Sequence, residues 1–196
     1  MLGNKFLIQF ILVIWCGSIN TQDLEQPTLH ANPVLVSDTV FAKLGTYRGF
    51  TDDGTEYQKT YFFTRHFKGD WTNSRYFCKS YDLELVTMET LEEARAVLTM
   101  ADNNSILRSY TSVWLNIDAV TLTIKSLTEW FWTKSGKKIS YPIPWRPDAP
   151  NNHVGNENCL TFGRYLTSGK FGFDDARCEN GGNPIPCQRI DLLIPK

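Results

Sequence analysis

Four cysteines, Cys78, Cys159, Cys178 and Cys187, constrain this chain more than any other feature. A fifth, Cys16, lies in an N-terminal stretch of a different kind. Met1 to Lys5 carries one lysine, Phe6 to Trp15 is nearly all apolar, and the small residues Gly17 and Ser18 follow. This is the pattern of a secretory signal peptide over residues 1–18, well short of the roughly 20 apolar residues that span a bilayer. Its removal takes Cys16 with it and leaves an even count, which in a secreted, extracellular chain implies disulfides. Four cysteines allow three pairings, and the sequence alone chooses none of them.

Two of the cysteines close runs of oxygen-bearing side chains. Asn151 and then Glu157-Asn158 precede Cys159, and Phe173-Asp174-Asp175-Ala176-Arg177 precedes Cys178. A disulfide between Cys159 and Cys178 would bring Asn151, Glu157, Asp174 and Asp175 near one point. Hard cations such as Ca²⁺ take several carboxylate and amide oxygens at one point. Away from the cysteines, such residues would read as ordinary solvated loop acids.

The formal net charge is −1 and the chain has no basic run or basic helix face, which speaks against a nucleic-acid partner. No other stretch is apolar enough to span a membrane. Neither Gly-x-Ser-x-Gly nor His-Glu-x-x-His occurs, so the chain reads as a binding protein and not an enzyme. Glu157 and Asp175 as a glycosidase pair is the weaker alternative.

Residues 19–46 hold Pro27 and Pro33 without a clear period and read as a lead-in or linker. One domain is expected over residues 47–196. Thr60 to Thr64 predicts a strand. Asp70 predicts a helix cap, with Trp71, Ser74, Cys78 and Tyr81 on one face. Thr90-Leu91-Glu92-Glu93 predicts a capping box, Glu93 reaching back to the cap, and a helix to about Ala101. Short strands are expected at Val113–Ile117, Glu129–Thr133, Leu160–Tyr165, Lys170–Phe173 and Cys187–Leu192. Trp130 and Trp132 should share a side, and core packing is the leading role for Trp114, Trp130, Trp132 and Trp145. Between them, Tyr141 to Glu157 holds four of the nine prolines and little regular structure. Irregular loops of this length inside compact domains are usually functional. Asn103-Asn104-Ser105 is a glycosylation sequon at Asn103.

Several of these pieces, in this order, resemble the C-type lectin-like domain. Trp71 with Phe77-Cys78 resembles its first-helix signature, and the helix capped at Thr90 its second. Trp114-Leu115-Asn116 stands where the family has Trp-Ile-Gly, and Asn116 has no functional reading. Trp145 is similar to the tryptophan that precedes the calcium loop. Asn151-Asn152 and Glu157-Asn158-Cys159 match that loop, and Phe173-Asp174-Asp175 takes the place of Trp-Asn-Asp. The resemblance covers roughly Thr60 to Leu193.

The resemblance implies an α+β fold of two helices on small antiparallel sheets. It implies a long irregular calcium loop and the disulfides Cys78–Cys187 and Cys159–Cys178. It implies a secreted, single-domain lectin of the insect type that binds glycans or glycoproteins, with a possible role in innate recognition. Ca²⁺ would be held by Asn151, Glu157, Asp174 and Asp175, with Asn151, Glu157 and Asp174 also meeting sugar, and Pro150 would follow a cis bond. The sequence departs from the family at Ala149, where a metal oxygen and a sugar acceptor are both lost. Asp174, where asparagine is commoner, restores a carboxylate. The departure leaves a second expectation, a calcium-independent module that binds other extracellular proteins.

Overall fold

The computed structural model describes residues 36–124, 127–153, 155–166 and 169–193. The signal peptide expected at 1–18, with Cys16, lies outside them. Two four-stranded antiparallel sheets form the frame. One has the order β1 (Phe41–Phe50), β2 (Glu56–Gly69), β8 (Asn183–Leu192), β3 (Glu84–Leu85). The other has the order β5 (Leu127–Trp132), β4 (Val113–Ile124), β6 (Cys159–Arg164), β7 (Gly172–Ala176). Among the described residues three helices accompany them: α1 (Trp71–Ser80), α2 (Leu91–Asn103) and α3 (Ser105–Ser109).

The first sheet begins earlier than the sequence suggests. β1 starts at Phe41 and pairs with β2 from Phe41↔Thr64 to Phe50↔Glu56, so residues 41–46 belong to the sheet and not to a lead-in. The segment is a strand because β2 offers it an edge, not because of its own period.

Both expected caps are present. The Asp70 carboxylate accepts from Asn73 N at 2.7 Å, and the Thr90 hydroxyl accepts from Glu93 N at 3.1 Å. The reciprocal half of the second cap differs. Glu93 Oε2 accepts from Glu89 N at 2.8 Å, one residue before Thr90. Its other oxygen, fully buried, meets Lys59 Nζ at 2.8 Å and the Tyr61 hydroxyl. Lys59, only 1 % exposed, also lies within 3.3 Å of the Thr87 hydroxyl. Gln188 closes this network by bonding both the N–H and the hydroxyl of Thr87.

Other side chains join the elements. Asn116 donates to Ser74 Oγ at 3.0 Å and Gly69 O at 3.4 Å, which gives it a structural role between β4 and the start of α1. Trp71 Nε1 donates to Ile117 O at 2.7 Å. Arg164, 1 % exposed, donates to the carbonyls of Leu107, Arg108 and Tyr110 around the end of α3, and to Leu166 O. Trp130 and Trp132 are both buried in the main core with Leu115, Ile117 and Phe173.

The two disulfides are Cys78–Cys187, which ties α1 to β8, and Cys159–Cys178, which ties β6 to the chain just beyond β7. Their sequence separations are 109 and 19 residues. In the chain-entropy model such loops contribute roughly 4–5 and 3 kcal/mol. Among the described residues no helix is long and apolar enough to cross a membrane.

Candidate functional site

The long segment from Tyr141 to Glu157 has no helix or named strand among its described residues. Its root is fixed by β7. Phe173 N donates to Pro144 O at 3.0 Å and Arg146 N donates to Phe173 O at 2.9 Å, so Trp145 runs parallel beside Phe173. Gly172 makes this approach possible. A Cβ there would lie 2.9 Å from the Arg146 backbone, closer than side chains pack.

Beyond the root the chain turns at a cis Ala149–Pro150 bond, flanked by Asp148 and Asn152 with positive φ (67° and 44°). The Asp175 carboxylate then holds the returning backbone. Its two oxygens accept from Asn151 N at 2.9 Å and Asn152 N at 2.6 Å. His153 N is shared between Asn151 Oδ1 (2.9 Å) and Glu157 Oε2 (2.6 Å), and Glu157 N donates to Asn152 Oδ1 at 3.1 Å. Asn151, Glu157 and Asp175 therefore come together. Their surroundings form a cleft of about 240 Å³ that also involves Asn152, Asn158, Thr121, Thr128 and Trp130. His153 is exposed and enters through its backbone alone.

Asp174 is not drawn into this set. Asp174 stands beside Asp175 on β7, opposite Thr161, and the charges of Asp175 and Glu157 reach its carboxylate. The Asp174 carboxylate instead meets Arg146, with Nε 2.9 Å from Oδ2. The guanidinium lies over Trp114, 5.3 Å from the ring centre. Burial raises the Asp174 pKa above the ordinary carboxylate value; Arg146 opposes the rise, and the charges of Asp175 and Glu157 add to it. Sequence reasoning missed Arg146. Its signal was that it is the sole lysine or arginine between Tyr141 and Glu157.

The residues fit a calcium ion in part. The donors are hard oxygens, and Asp174 Oδ1 is buried with no hydrogen-bond partner. Against this, Ala149 supplies no side-chain oxygen. Among the described residues no three His, Cys, Asp or Glu side chains stand close enough to hold a metal as they lie.

A larger groove of about 580 Å³ runs between α1, β3 and Lys134, away from this loop. Its main charges neutralise one another: Arg75 pairs with Asp118 at 3.1 Å and Lys134 with Glu84. It shares no residue with the smaller cleft. Asn103, the sequon residue, is exposed at the end of α2.

The family model for the lectin C-type domain matches residues 68–189, well over half of the chain. Among solved structures, the chain is similar to the C-type lectin domain of murine dendritic cell inhibitory receptor 2 in complex with N-glycan. That match has 20 % identity, a TM-score of 0.50, and covers 68 % of this chain and 91 % of that one. It is also similar to the carbohydrate-recognition domain of the mouse scavenger receptor C-type lectin (22 % identity, TM-score 0.49, covering 75 % and 95 %). A third is the cow CD23 domain in the presence of a GlcNAc2Man3 oligosaccharide (26 % identity, TM-score 0.48, covering 68 % and 88 %). The two-sheet frame, the paired disulfides and the family match agree, and the chain belongs to the C-type lectin domain family.

Proposed function

We propose that this protein is a secreted, calcium-dependent lectin that binds glycans or glycoproteins at the cleft formed by the long loop and β7, with a degenerate Ala149-Pro150-Asn151 site. The observation that carries the reading is the convergence of Asn151, Glu157 and Asp175 on one loop turn, cross-linked through the amides of Asn151, Asn152 and His153. Planar amides and carboxylates in a fixed array suit sugar hydroxyls, which both donate and accept. Asn151 and Glu157 would accept from neighbouring hydroxyls, and Asp174 would join them where it is freed. Asp175 keeps the loop in place.

Calcium, held by Asn151, Glu157, Asp174 and Asp175, would supply direct coordination of paired hydroxyls. Innate recognition and glycosylation at Asn103 belong to the same proposal. Glycan-array binding with and without EDTA tests it. Binding lost in EDTA and in Asp175→Ala is the expected outcome, and binding that survives both rejects it.

One observation favours a second reading. Ala149 and the Arg146–Asp174 pair together remove two of the oxygen positions that the family uses. On that reading the domain is a calcium-independent module for other extracellular proteins. A thermal melt in millimolar Ca²⁺ against EDTA separates the two. A site at 100 times its dissociation constant stabilises by about 2.7 kcal/mol, and an unused site leaves the melt unchanged.

A further inference from the structure

We infer that Arg146 is a built-in counter-cation that withholds Asp174 from the loop and thereby sets its calcium affinity. The inference rests on the calcium reading above and deepens it.

Three observations carry it. First, Arg146 is placed by backbone, not by chance of a surface rotamer. Its N–H bonds Phe173 O, its carbonyl accepts from Ala149 N at 3.2 Å, and its backbone lies so close to Gly172 that a Cβ there would stand 2.9 Å from it. Second, the guanidinium is engaged by the Asp174 carboxylate at 2.9 Å, by the face of Trp114 and by Pro147 O, to which Nη1 donates at 3.1 Å. Its side chain is 24 % exposed and that of Asp174 10 %. Third, the pair is incompletely satisfied. Asp174 Oδ1 is buried without a hydrogen-bond partner, and Arg146 Nε makes close ionic contact without hydrogen-bond geometry.

The physical consequence is competition. Arginine stays charged at every accessible pH, so it permanently cancels one of the three negative charges of Glu157, Asp174 and Asp175. An ion that recruits Asp174 must take it from the guanidinium and leave that charge half-buried without its partner, which is costly. The orphan Oδ1 means that the resident pairing leaves one acceptor unused, and that acceptor is what a divalent ion would gain.

The test uses the mature full chain and calcium chloride alone, with isothermal titration and the calcium-dependent shift in melting temperature as readouts. Arg146→Gln should lower the calcium dissociation constant at least tenfold, while Arg146→Lys, which keeps the charge, should stay within about threefold of wild type. The double variant Arg146→Gln with Asp174→Asn, which removes both charges of the pair and takes away the freed carboxylate, should lose that gain and stay within about threefold of wild type. Equal affinity in wild type and Arg146→Gln overturns the inference alone and leaves the calcium reading standing. So does a tenfold gain that persists in the double variant. Calcium binding in none of the variants overturns both.

Discussion

Two ion pairs, one fully buried and one partly exposed, each tie a sheet to a neighbouring segment, and they are built differently. Lys59–Glu93 joins the first sheet to α2 at 2.8 Å, with the lysine 1 % exposed and the glutamate fully buried. Every oxygen of Glu93 has a second or alternative donor, in Tyr61 and in Glu89 N, and Lys59 has Thr87 beside it. Arg146–Asp174, beside the second sheet, has nearly the same separation, 2.9 Å, but leaves a buried acceptor unmatched. Similar distances thus hide opposite roles. A pair with all its polar atoms matched fixes a packing arrangement, whereas a pair with one atom unmatched keeps capacity for something else.

The largest effect should come from breaking the matched pair. Lys59→Met leaves Glu93 buried without its counter-charge and should cost about 3–5 kcal/mol, read as a fall in the urea midpoint. A cost under 1 kcal/mol would remove the contrast between the pairs. Next, replacing Cys159 and Cys178 by serine should cost about 3 kcal/mol and abolish glycan binding at temperatures where the fold survives. Retained binding would show that the loop is held by Asp175 and β7 alone. Smaller again, Arg146→Gln should change stability without calcium by about 1 kcal/mol or less, because a partly exposed pair contributes little. A loss as large as that of Lys59→Met would make Arg146 a packing residue.

An intermediate case, Arg75–Asp118, gives the smallest signal. Asp118 is 5 % exposed, and burial raises its pKa above 3.8, with Thr133 and Arg75 pulling it back. A carboxyl that holds its proton more tightly when folded loses stability as pH rises from the ordinary value through the folded one. The Asp118→Asn midpoint should therefore gain on that of wild type across this window, starting near pH 3.8. A constant gap between the two from pH 3.5 to 6 would contradict the sign.

Much of this was legible in the sequence, and the remainder was hidden for physical reasons. Asp70 and Thr90 announce helix starts because a cap is a local bond, made three residues away. The irregular loop was legible because proline forbids regular structure wherever it stands. β1 was not, since Phe41 to Phe50 becomes a strand only through an edge that β2 provides. α3 was missed because its five residues are too few to show a period. The role of Glu93 was half visible: its backbone completes the cap, but its side chain answers to Lys59, 34 positions earlier, according to the pairing seen in the fold. At the site, Asn151, Glu157 and Asp175 were legible as a set. The separation of Asp174 from them was not, because it depends on an arginine in another segment.

Arg164 has a consequence for the order of assembly. A five-residue helix cannot sustain itself in water. The carbonyls around the end of α3, from Leu107, Arg108 and Tyr110, are gathered by a guanidinium from β6, more than 50 positions downstream. α3 is thus local in sequence and non-local in origin, and its formation should wait on β6. In pulse-labelling hydrogen exchange during refolding, the amide of Tyr110, bonded to Leu107 O, should gain protection together with β6 and after α2. Early protection there would show that the helix forms by itself and that Arg164 only joins it afterwards.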